Sequence, residues 1–286
     1  MSLSWPWHFI FLSETEKQQR RELLTLRGYY AQLSILLAIV LLRLYTAFFP
    51  SEKARQKPTR TKGSRQKSWL DSPLFTGWFE TRKQYLLCLI WLSWLLGLSM
   101  WRTGDDYLHL TKSIGHVGLS QLPLQVAMSP AFYITSTPRA SSLLSILASI
   151  PQATITAYHR LFARVVLLPL LASHAILYCA FFVQSSHPEF SSLFFKRIRD
   201  MDVQLGIAAV VLVSAVVGLV RPKGATGGVW RGSVKERRQM FYIVHVILVC
   251  VFCLAIYFHV EQARAFVGEG IVVFLVNLGC CALTAQ

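Results

Sequence analysis

The chain has 286 residues, of which 53% are hydrophobic and only 15% charged, against roughly 25% charged for an average soluble domain. Its mean hydropathy is +0.44, yet 29 Lys and Arg stand against 14 Asp and Glu, a formal net charge of +15. This excludes a disordered chain, a collagen-like chain and an ordinary soluble enzyme; the cations punctuate apolar blocks instead of forming one basic face, so a membrane protein is expected and a nucleic-acid partner is not.

Residues 1–28 read as an N-terminal tail. The apolar run Phe9 to Leu12 is short and leads into Glu14, Glu16 and Lys17 rather than a small-residue cleavage site, so it is not a signal peptide. A bilayer core of about 30 Å takes roughly 20 apolar residues per helix. Seven blocks approach that length: 29–49, 84–102, 113–133, 154–183, 203–220, 240–258 and 266–283. The expected fold is therefore all-α, a polytopic helical bundle of about seven transmembrane helices, with the bundle proper over 84–283. The tract 50–83 is rich in Lys, Arg, Ser, Thr and Pro and is expected to be a basic cytoplasmic loop. Pro123 and Pro130 interrupt the third block. The fourth is too long for a straight crossing, so its start, with His159 and Arg160, is expected at the interface. No internal repeat and no second, soluble domain are visible.

Seven crossings put the chain ends on opposite sides, and the positive-inside rule chooses between them. The side holding 50–83, Arg139, Arg160 and the cations of 221–238 collects seventeen Lys and Arg against ten on the other, with Arg43 and Arg164 inside spans. The N-terminus is therefore expected outside or in a lumen and the C-terminus in the cytoplasm.

Polar rings inside a span are costly and point to function. Of the eight His, His8, His109 and His187 are expected to be ordinary solvated residues, and His116 an interfacial or packing residue. The other four form two pairs. His245 and His259 are 14 residues apart on the sixth block, about 21 Å along a helix and about 40° short of four turns, so they share a face. His159 and His174 are 15 apart on the fourth, about 22 Å and about 60° past four turns. With both helices running the same way, His159 and His245 share the inner level and His174 and His259 the outer. Stacked imidazole pairs across a bundle match six-coordinate haem iron. No third or fourth ligand of matching depth favours zinc, and no Asp or Glu lies well inside a span to serve a carboxylate proton relay. Arg160 and Arg164 on the fourth block, and Arg237 and Arg238 before the sixth, are suited to carboxylates such as haem propionates, or to a docking surface on the flavin side.

These residues carry a resemblance. Gln121-Leu122-Pro123-Leu124, Tyr158-His159-Arg160-Leu161-Phe162-Ala163-Arg164, Ser173-His174-Ala175-Ile176-Leu177-Tyr178, Arg237-Arg238-x-x-Phe241-Tyr242-x-x-His245 and His259-Val260 resemble the ferric reductase-like transmembrane domain of fungal ferric-chelate reductases and NADPH oxidases, over about 110–262. The resemblance implies two b-type haems on His159, His174, His245 and His259. It also implies electrons entering from FAD reduced by NADPH and leaving to a ferric chelate or dioxygen. The 15-residue pair departs from the family's usual 14; Pro169 lies between and removes a helical hydrogen bond, so a kink or one-residue bulge is expected to restore the register. Lys112 and His116 stand where the family commonly has an Arg.

Neither a flavin motif nor a dinucleotide site is present; Gly224, Gly227 and Gly228 follow no strand. FAD and NADPH are thus expected only through a missing or separate domain, with a separate flavoprotein as donor, in the plasma membrane or endoplasmic reticulum. An ascorbate-dependent cytochrome b and a haem-free transporter or receptor are the alternatives. Cys250-x-x-Cys253 sits mid-span and reads as packing thiols, as do Cys280 and Cys281, with lipidation the alternative for the latter two.

Overall fold

The computed structural model describes residues 10, 12–49, 68–74, 80–129, 140–185, 192–219 and 233–284. They form an all-α bundle. Helix α1 (Glu14–Phe48) opens on a capping box in which Ser13 and Glu16 satisfy each other's backbone N–H. This cap starts the helix fifteen residues before the expected span, so much of the expected tail is helical. Then come α2 (Arg82–Met100), α3 (Tyr107–Leu119), α4 (Leu122–Ala127) and α5 (Leu143–Ala148). Helices α6 (Gln152–Phe162) and α7 (Leu168–Gln184) are joined without a break by a five-residue π-helical turn, Ala163–Leu167. Short α8 (Leu193–Arg197) precedes α9 (Met201–Leu219), α10 (Val234–His259) and α11 (Arg264–Thr284).

Among the described residues, six helical stretches are long and apolar enough to cross a membrane: Glu14–Phe48, Arg82–Met100, Gln152–Gln184, Met201–Gly218, Gln239–His259 and Glu261–Thr284. The chain is an integral membrane protein. The third expected block differs. It is two short helices, because Pro123 sits in the first turn of α4 where it cannot donate a backbone bond, and the fully buried Gln121 holds the break through Trp91 Nε1 (3.1 Å) and Ser120 Oγ (3.1 Å). Together α3 and α4 still traverse the bundle, antiparallel to α6–α7: Tyr107 donates to Leu177 O at one end, and Gln125 bonds His159 at the other. Pro130 and most of the tract 50–83 lie outside the described residues.

Leu95, Val117, Leu161, Val166 and Leu170 form one buried cluster around α2, α3 and the π turn. Phe252, Ile256, Phe266 and Val267 centre a second around α9, α10 and α11. The outward faces carry exposed Leu, Ile, Val and aromatic side chains, as lipid contact requires. Arg43, expected within a span, donates to Leu147 O (2.6 Å), Ile146 O (3.2 Å) and Ser149 Oγ, closing the end of α5. Cys281 is buried and directs Sγ to Ser141 O; all six cysteines are free, Cys250 exposed and Cys253 half-buried.

Candidate functional site

Helices α6–α7 and α10 run in the same direction, with α9 packed beside both α7 and α10. His159 and His245 face each other across the bundle with ring centres 6.3 Å apart and planes at 69°. The extra residue in the His159–His174 interval falls in the π turn. There Leu168 N–H donates to Ala163 O, five residues back, and the turn ends two residues before Pro169. A π turn contributes one residue beyond α-helical register, which leaves an effective interval of 14 and the same phase as His245–His259. His174 lies within electrostatic range of His259.

Three of the four rings are held by Nδ1. His159 Nδ1–H donates to Gln125 O (3.0 Å), while Gln125 Nε2 donates to His159 O (3.0 Å). His174 Nδ1–H donates to Thr111 O (2.7 Å) and His259 Nδ1–H to Asp202 O (2.5 Å). His245 Nδ1 is buried without a hydrogen-bond partner, and the ring leans on Phe241, centres 5.4 Å apart. At the His174 and His259 level, two glycines make room. A Cβ on Gly115 of α3 would stand 2.7 Å from His174 Cγ, and one on Gly206 of α9 would stand 2.6 Å from His259 Cε1.

These features test the fit to haem. An Nδ1–H bonded to a backbone carbonyl leaves Nε2 with its lone pair, the form in which imidazole binds a metal. Metal–nitrogen bonds of about 2 Å on each side place two ligating ring centres roughly 6 Å apart, which matches the His159–His245 separation. Among the described residues no cluster of three or more His, Cys, Asp or Glu could hold a bare ion, whereas haem iron takes two axial protein ligands. The donor set fits haem.

The arginines are placed differently from one another. Arg164 Nη2 is 2.6 Å from Glu80 Oε1 and Arg160 Nε is 3.8 Å from the same oxygen. Glu80 is 2% exposed; it precedes α2, next to a Pro73–Thr81 bridge and an Arg82 N–H to Ser72 O bond. Arg237 Nε is buried without a hydrogen-bond partner. The side chain of Arg238 lies outside the described residues, as do His8 and His187.

Two histidine expectations are corrected or refined. His109 is buried, not solvated: Asp106 caps α3 six residues before the expected start of the block (His109 N to Asp106 Oδ1, 3.2 Å) and carries His109 into the bundle. There it meets Arg27, also fully buried, whose Nη1 is 3.0 Å from both His109 Nε2 and Ser113 Oγ and whose Nη2 donates to Trp101 O. Arg20 pairs with Asp106 nearby. His116 is a packing residue, buried edge-on to Phe266 with ring centres 4.9 Å apart. Glu269, two turns along the span that opens at Glu261, accepts from Gln32 Nε2 (2.5 Å). On α3 the positions 109, 113 and 116 lie opposite 111 and 115, so this polar cluster is separate from the four-histidine site.

The fold and the site define a membrane-embedded electron-transfer component of oxidoreductase type. The chain belongs to the ferric reductase like transmembrane component family, which it matches over residues 114–256, half its length. No curated protein and no solved structure matches it.

Sequence reasoning missed Gln125, Thr111, Asp202, Gly115, Gly206 and Glu80. Gln125 directly follows a quoted motif; the other five carried no local signal.

Proposed function

We propose that the chain carries electrons across its membrane through two b-type haems, one held by His159 and His245, the other by His174 and His259. The observation that carries this reading is the His159–His245 pair, two facing imidazoles at a two-ligand separation with His159 Nε2 left free by its Nδ1 bond. When bound, haem supplies reversible one-electron transfer. The protein's part is to hold and orient. Gln125 O, Thr111 O and Asp202 O fix three rings in the ligating tautomer, and Gly115 and Gly206 let α3 and α9 close against two of them.

Arg160, Arg164 and Arg237 meet carboxylates at the His159 level, with Arg238 on the same helix end. Electrons enter on that side from an FAD module reduced by NADPH, supplied by a flavoprotein partner or a further domain, and leave to a ferric chelate or dioxygen. The cation bias favours a cytoplasmic C-terminus and an N-terminus outside or in a lumen, and the membrane is read as the plasma membrane or endoplasmic reticulum. The family match favours this reading over an ascorbate-dependent cytochrome b. The test is a reduced-minus-oxidised spectrum of the purified protein with haem counted per chain. Two b-type haems are expected, and one in His245→Ala. A wild-type protein with no b-type band refutes the reading.

A further inference from the structure

We propose that Glu80 sets the charge, and hence the reduction potential, of the His159/His245 level. The inference rests on the haem reading above and concerns a residue outside the family match and outside every motif of the sequence.

Arg160 follows His159 directly and Arg164 lies one turn beyond, so both cations stand on the helix that carries the ligand. Glu80 is the carboxylate that meets both, at 2.6 Å from Arg164 Nη2 and 3.8 Å from Arg160 Nε through one oxygen. Its side chain is 3% exposed, against 38% for Arg160 and 22% for Arg164, so its negative charge is the least screened of the three. It is also held rigidly. The Pro73–Thr81 bridge, the Arg82 N–H to Ser72 O bond (3.0 Å), the Thr81–Gln84 capping box and Arg82 over the Trp69 ring (4.4 Å) fix the backbone on either side.

A carboxylate placed this way offsets one of two adjacent positive charges. The trio carries a net +1 instead of +2. An electron arriving at this level adds negative charge, so every uncompensated cation nearby stabilises the reduced state. Glu80 therefore holds the potential of this level below the value that the arginines alone would set. A unit charge about 10 Å away, through an effective dielectric near 20, changes a one-electron equilibrium by about tenfold, or about 59 mV.

The experiment is a spectroelectrochemical redox titration of the purified holoprotein, comparing wild type with Glu80→Gln, Glu80→Asp and Arg164→Gln. One of the two one-electron waves is expected to move up by about tenfold in Glu80→Gln, to stay near wild type in Glu80→Asp, and to move down in Arg164→Gln; the other wave stays in place throughout. A Glu80→Gln wave that does not move, or two waves that move together, overturns the proposal. If Glu80→Gln loses the haem of this level, the sign in Arg164→Gln decides: downward supports the proposal, and no movement or an upward shift overturns it. A wild-type protein that holds no haem refutes the underlying reading of the site, an outcome distinct from an unmoved wave in a loaded protein.

Discussion

Replacing Gly206 by alanine puts a methyl carbon 2.6 Å from His259 Cε1, 3.0 Å from Nδ1 and 3.2 Å from Nε2. Carbon contacts are comfortable at about 3.5–4.0 Å, so the ring must retreat by about 1 Å. Overpacking of this kind costs about 1–3 kcal/mol. The retreat also strains the 2.5 Å bond from His259 Nδ1 to Asp202 O, worth about 1 kcal/mol. Together these come to about 2–4 kcal/mol, and at 1.4 kcal/mol per factor of ten the ligand at this level holds haem roughly thirty-fold to several-hundred-fold less tightly. The assay is haem per chain, with the rate of haem loss to a scavenger protein. Gly206→Ala is expected to keep one haem firmly and shed the other, and Gly115→Ala to do the same through His174. Gly97, with no atom within 4 Å of the added Cβ, is the control: Gly97→Ala keeps both haems. A Gly206→Ala protein with two haems lost as slowly as in wild type would show that the placement of His259 does not depend on α9.

Deleting Val165 from the π turn shortens the His159–His174 interval to 14 residues and is expected to leave two haems per chain. Loss of one would mean that the wide turn does more than take up a residue. Conversely, inserting one alanine after Val249 turns His259 by about 100° relative to His245 and is expected to abolish one b-type haem in the difference spectrum. Arg27→Met leaves His109 Nε2, Ser113 Oγ and Trp101 O without their shared donor. Unmet buried groups cost about 1–3 kcal/mol each, so thermal unfolding in detergent should shift down by several degrees while haem content stays unchanged; an unshifted melting curve contradicts the assigned bonds.

What was legible followed helical periodicity. The His245–His259 interval puts two rings on one face whatever surrounds them, and the expected bulge before His174 is met by a π turn beside Pro169. What was not legible depends on residues brought together from far along the chain. Arg27 looks like one more flanking cation until the partners 74–86 positions away are in view. Glu80 is hidden at the end of a tract dominated by cations, and its partners are 80 and 84 residues on. Gly206 sits in a Val- and Ala-rich span where a glycine reads as generic small-residue packing; only the ring of His259 gives it a specific reason. His109 was misjudged because a single cap, Asp106, moved the start of a helix and turned a supposed loop into bundle interior.

The wide turn at Ala163–Leu167 also governs how related sequences should be read. It splits the fourth span into two phases, and positions before it are reckoned from His159 while those after it are reckoned from His174. A single helical wheel drawn through the whole span misassigns every face on one side by about 100°, turning lipid-facing positions into apparent core and core into apparent lipid contact. Chains that differ here by one residue can present the same two imidazoles to the same partner helix. An alignment gap at this turn is therefore a change of length without a change of site.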